Sequence, residues 1–161
     1  MTFETALSPL PPELQSEIIE TDAFMRQLTP LNFKRAITPT GGKINYVSAD
    51  YGISYAIALK KAQQDFGWYY LYDKQTKAWY RKPDYMERTL AALGEPGARV
   101  FAAINECTAC KGEPCSAIPY THDGEQKQAC YGRVIMPLDG EHFKLAQQFF
   151  GCLNDMLTNT P

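Results

Sequence analysis

The chain is poor in the signatures by which enzymes are usually read. It contains no G-x-S-x-G, no P-loop, no Rossmann glycine pattern and no H-E-x-x-H, so sequence offers no direct argument for a serine hydrolase, a nucleotide enzyme or a zinc protease. No internal repeat or low-complexity tract occurs. Long apolar runs are also missing. The longest candidate, Ile53 to Leu59, falls far short of the roughly 18 residues of a membrane span. The opening residues Met1-Thr2-Phe3-Glu4-Thr5 lack the basic region and apolar core of a secretory signal. The expectation is a cytosolic protein without membrane contact. Neither sign of charge dominates: 16 Lys and Arg face 18 Asp and Glu, for a net of −2, so bulk charge does not point to nucleic acid. Histidine is scarce, with only His122 and His142. Either could assist a nucleophilic cysteine, but sequence does not bring them to one. Both are expected as solvated surface residues, with His142 a weak substitute metal ligand should Cys115 fail.

What is present is globular. Of 161 residues, 45% are apolar and 21% charged, a composition for one folded domain. Residues 1–11 read as a loose N-terminal segment. Pro11 and Pro12 suit a helix start, and Leu14, Ile18, Met25 and Leu28 mark the apolar side of a helix over 12–28. A loop over 29–42 follows. Ile44, Tyr46 and Ser48 alternate with Asn45 and Val47 as a strand, and Asp50-Tyr51-Gly52 reads as a turn. Ile53, Tyr55, Ile57 and Leu59 share one side of a further extended segment, against a competing helix over 50–66; Gly52 and the β-branched and aromatic residues favour the strand. Residues 67–82 read as an aromatic hairpin turning at Asp73-Lys74-Gln75-Thr76. Helices are expected at 84–94 and 98–106, and a second hairpin at 118–136 around Asp123-Gly124. The last helix spans 140–158 behind the N-cap Asp139. The predicted class is α+β: an N-terminal helix, antiparallel hairpins forming one sheet, a Cys-rich loop, and a C-terminal helix packed on the sheet.

Five cysteines stand at 107, 110, 115, 130 and 152, and four of them fall within 24 residues, where even scatter would give one about every 32. An odd count in a reducing compartment argues against a disulfide framework. The order is Cys107-x2-Cys110-x4-Cys115-x14-Cys130. A C-x-x-C pair suits tetrahedral metal binding because a tight turn lets two thiolates converge on one ion. With Asp123 and Gly124 as a two-residue turn, Cys130 faces Ala117 across the hairpin. Cys115, two residues earlier, then shares its face, as a diagonal pair about 7–8 Å apart. The leading expectation is a structural zinc held by Cys107, Cys110, Cys115 and Cys130. A full thiolate shell leaves no open position for water, so such a zinc braces rather than catalyses. The alternatives are reduced cysteines buried as small hydrophobes, a redox dithiol at Cys107 and Cys110, and an iron–sulfur cluster. The dithiol is disfavoured because the pair is expected to follow a helix rather than to open one. Cys152 is expected in the core.

A second concentration lies at 60–82, with six bases, two acids and seven aromatic residues. Such a mixture can stack bases along a single nucleic-acid strand, line a pocket, or simply pack a sheet. The expected ligand wall is Trp68, Tyr70, Tyr72 and Trp79. The sequence thus predicts a small cytosolic zinc-binding module that contacts a small molecule or protein. A thiol-dependent enzyme and a single-strand nucleic-acid binder are the alternatives.

Overall fold

The computed structural model describes residues 1–59, 65–69, 83–108 and 117–159. Two helices open the chain, α1 (Phe3–Leu7) and α2 (Pro12–Gln27). Strands β1 (Lys34–Ile37), β2 (Lys43–Ser48), β3 (Ile53–Ala58) and β4 (Asp65–Tyr69) follow. Then come α3 (Pro83–Leu93), α4 (Glu95–Ala102), β5 (Ile104–Glu106), β6 (Ala117–His122), β7 (Glu125–Pro137) and α5 (Gly140–Thr158). The class is α+β, and the described strands form one sheet in the order β1-β2-β3-β4-β7-β5, with β6 also paired to β7.

All the pairings are antiparallel. The long strand β7 organises one end of the sheet. Ala129 pairs with both Ile118 and Glu106, and Val134 with both Trp68 and Ile104. A strand has only two edges, so β5 occupies one edge of β7 while β6 and β4 share the other.

One cross-strand row runs through six strands: Arg35, Tyr46, Tyr55, Trp68, Val134 and Ile104. Paired residues of a sheet lie on one face. Tyr46, Tyr55, Val134 and Ile104 are buried, so this row marks the core face. Helices α2 and α5 cover it, and they also pack on each other. The Tyr55 ring meets Phe150 of α5 at 5.5 Å, and Phe33 meets Phe150 edge-on at 5.4 Å. On α5, His142, Ala146, Phe149, Phe150 and Leu153 are buried, the one-sided stripe of an amphipathic helix. Asp139 caps that helix, its side chain accepting from the His142 N–H at 3.0 Å.

Strand β2 alternates as expected, with Ile44, Tyr46 and Ser48 buried. The segment after Gly52 is a strand, and every residue from Ile53 to Ala58 is buried. Both faces of β3 are therefore covered, which explains the near-continuous apolar run that also invited a helical reading.

Four expectations need correction. Residues 1–11 are not loose: Thr2 caps α1, and Phe3, Ala6 and Leu7 are buried. The Phe3 ring lies under the Arg35 guanidinium at 4.2 Å, so α1 is anchored to β1. The loop assigned to 29–42 contains β1, an edge strand whose residues are mostly exposed; it lacks the alternating apolar residues that advertise a strand. The helix assigned to 98–106 begins earlier, at Glu95, and ends at Ala102. The next residues are drawn into the sheet, since the Ile135 N–H donates to the Ala103 carbonyl at 3.3 Å. Finally, both edges of β4 at Trp68 are occupied, by Tyr55 and Val134. A returning hairpin strand is therefore not the neighbour at that position, and residues 70–82 lie outside the described residues.

Candidate functional site

The β6–β7 hairpin has the register that the Asp123-Gly124 turn implies. His122 pairs with Glu125, and the ladder runs back to Ala117 opposite Cys130. Both turn residues have positive φ, 48° at Asp123 and 82° at Gly124, the backbone of a two-residue type I′ turn. Along the hairpin one face carries His122 and Lys127. The His122 ring packs on Phe101 of α4 at 5.0 Å, and the Lys127 ammonium reaches Glu106 at 3.3 Å. This face is turned toward α4. Pro119, Gln126 and Gln128 lie on the other face and are exposed.

Cys107 follows β5 directly. Its N–H donates to the Gln128 carbonyl at 2.8 Å, and its neighbour Glu106 pairs with Ala129. Successive residues of a strand point to opposite faces. Cys107 therefore shares the outward side with Gln128, and position 130, two residues on, belongs to the same side. Positions 107 and 130 are therefore diagonal neighbours on adjacent strands. Cys107 is a free, half-buried cysteine. The pair Cys107 and Cys110 follows a strand, not the helix expected from sequence. Cys110 and Cys115 lie outside the described residues. Among the described residues no group of three or more His, Cys, Asp or Glu side chains is placed to hold a metal.

Neither histidine is a surface residue. His122 is 8% exposed and lies on the hairpin face opposite Cys107. His142 is 1% exposed, stacked on Tyr55 at 5.9 Å and sharing a 2.8 Å hydrogen bond between its Nε2 and the Tyr55 hydroxyl. Burial pushes its pKa down to about 2, so it is neutral at physiological pH. Held in the core with its Nε2 engaged, His142 does not serve as a substitute metal ligand. Its burial was readable from spacing, because it precedes Ala146 and Phe149 by four and seven residues, one helical side.

A buried polar seam accompanies it. Asp22 of α2 accepts from the Tyr46 hydroxyl at 2.9 Å and from Arg35 at 2.7 Å. Tyr46 stacks on Tyr55 at 5.7 Å. Burial, then the Asp22 charge, push the Tyr46 hydroxyl far above its ordinary range, and burial does the same to Tyr55. Both phenols stay protonated, as donors must. The seam ties α2 to β1 and β2, and α5 to β3. Sequence reading missed it, although Asp22 stands between Ile18 and Met25 on the apolar side of α2, where a carboxylate needs a partner.

Of the aromatic positions, Tyr70, Tyr72 and Trp79 lie outside the described residues. Trp68 occupies the cross-strand row whose members Tyr46, Tyr55 and Val134 are buried. Cys152 is not a core residue: it is half-buried at the edge of α5, where burial, then the Asp155 carboxylate, raise its thiol pKa. Among the described residues no helix is long and apolar enough to cross a membrane. Comparison of the chain with known protein families, with curated proteins and with solved structures finds no match.

Proposed function

We propose that this chain is a zinc-braced binding module, in which Cys107, Cys110, Cys115 and Cys130 hold one Zn²⁺ as four thiolates. The observation that supports the reading is the strand register: Cys107 continues β5 beside Gln128, and position 130 of β7 is its diagonal neighbour. A diagonal pair about 7–8 Å apart suits two arms closing on an ion with Zn–S bonds of about 2.3 Å. The sequence supplies the other two arms. Cys110 completes a C-x-x-C with Cys107, and Cys115 precedes the first residue of β6 by two positions.

Four thiolates satisfy the ion, so its chemistry is mechanical. It fastens the 108–116 segment to β5 and β7 and gives the β6–β7 hairpin a fixed base. Metal binding of this kind adds to folding free energy. A redox role for Cys107 is less well supported, because the residue follows a strand rather than opening a helix whose dipole would lower its pKa.

The test uses single Ser variants of full-length protein. Cys107→Ser and Cys130→Ser are expected to lose zinc at chelator concentrations that leave wild type loaded, while Cys152→Ser retains it. Rapid alkylation of Cys107 in untreated wild type, or zinc retention unchanged in Cys130→Ser, contradicts the proposal.

A further inference from the structure

Helices α2, α3 and α5 leave a groove between them with a volume of about 690 Å³, within the size range of small-molecule sites. Phe24, Leu93, Cys152 and Met156 supply its apolar surface. Met156 is held in place, its sulfur accepting from the buried Thr89 hydroxyl at 3.3 Å. Gly151 keeps the floor open, since a Cβ there would meet the tip of the Phe24 ring at 3.2 Å.

Among the described residues that line it, one carries a positive and one a negative formal charge. Arg88 projects from α3 and Asp155 from α5, and both are exposed. They are not paired with one another. Among the described residues neither side chain makes an ion pair or a hydrogen bond, although ion pairs such as Arg99–Glu141 form on the same surface. A cation and an anion that line one groove beside apolar side chains are complementary to a molecule that carries both charges and an apolar body.

We propose that this groove binds an apolar zwitterion, an amino acid or short peptide, with its carboxylate at Arg88, its ammonium at Asp155 and its side chain on Phe24, Leu93 and Met156. Arg presents a planar fork that matches a carboxylate, and Asp accepts from an ammonium. The assignment does not rest on the zinc reading, because every residue used lies on α2, α3 and α5.

Titration calorimetry on the full-length protein, with L-leucine, L-phenylalanine and the dipeptide L-leucyl-L-phenylalanine as probes, tests it. At least one probe is expected to bind, and which one binds distinguishes the free amino acid from the peptide. N-acetylation or C-terminal amidation of that probe is expected to weaken binding by about two- to fivefold, since each cap removes a charge from one exposed partner. Arg88→Gln should abolish discrimination against the amide, and Asp155→Asn discrimination against the acetyl form. Both positions are exposed, so both variants are expected to fold. Absence of binding by all three probes at about 10 mM, well above a millimolar dissociation constant, overturns the proposal. So does equal binding of the capped and uncapped forms.

Discussion

Replacing Asp22 with alanine examines the polar seam directly. The side chain is 8% exposed and accepts from Tyr46 at 2.9 Å and Arg35 at 2.7 Å, with Arg26 at 3.8 Å. Removing it strands the Tyr46 hydroxyl, whose residue is fully buried, at a cost of about 1–3 kcal/mol for an unsatisfied group. The Arg35 bond is charge-assisted, but Arg35 is 28% exposed; solvent screening reduces its share to about 1 kcal/mol. The expected loss is about 3 kcal/mol, a large part of the roughly 5–15 kcal/mol that stabilises a typical domain. For a chain of this size it lowers the melting temperature by roughly 6–12 °C. Urea denaturation should show an earlier midpoint at an unchanged slope. Tyr46→Phe removes the donor while Arg35 still holds Asp22, and should cost only about 1 kcal/mol. A double-mutant cycle between positions 22 and 46 should give a coupling of about 1 kcal/mol or more. A loss below about 1 kcal/mol for Asp22→Ala, or strict additivity with Tyr46→Phe, would refute the reasoning.

Two further outcomes follow from the core. His142 is held neutral by burial, with a pKa near 2 against about 6.5 in the unfolded chain. Below pH 6.5 the unfolded chain takes up a proton that the fold refuses, so stability is fully present above that pH and falls by up to about 1.4 kcal/mol per unit on acidification. His142→Gln should flatten this slope between pH 7 and pH 5 in urea titrations, and an identical slope in both proteins counts against it. At the α3–α4 corner, a Cβ on Gly97 would run into the backbone carbonyl of Leu90. Backbone cannot step aside as a side chain does, so Gly97→Ala should destabilise by about 1–3 kcal/mol despite the higher helix propensity of alanine. A thermally neutral variant would show that the two helices are not so closely apposed.

The parts of the fold that sequence revealed are those whose signal is local. Asp123-Gly124 demands positive φ at two successive residues, and that one turn sets the register of the whole hairpin and hence the partner of Cys130. The caps and apolar side of α5 are equally local. What sequence concealed depends on neighbours. Edge strand β1 exists because β2 pairs with it, not because Lys34-Arg35-Ala36-Ile37 has a strand pattern. Strand β5 is three residues long and is defined by β7. His122 and His142 looked like surface residues because histidine is polar, yet each packs against an aromatic ring, tilted on Phe101 and stacked on Tyr55 respectively. Of the proposed zinc site, the pairing of Cys130 with Ala117 follows from turn parity, while Cys115 lies outside the described residues. The Cys107–Cys130 relation was not accessible, because it depends on β5 joining the far edge of β7.

The zinc content of protein purified without added metal tests the central claim most directly. Elemental analysis is expected to find about one zinc per chain, the ratio of a four-thiolate site, with a single thiol, Cys152, titratable until a chelator releases the other four. Less than about 0.2 zinc per chain, far below that stoichiometry, with all five thiols open from the start, would contradict it.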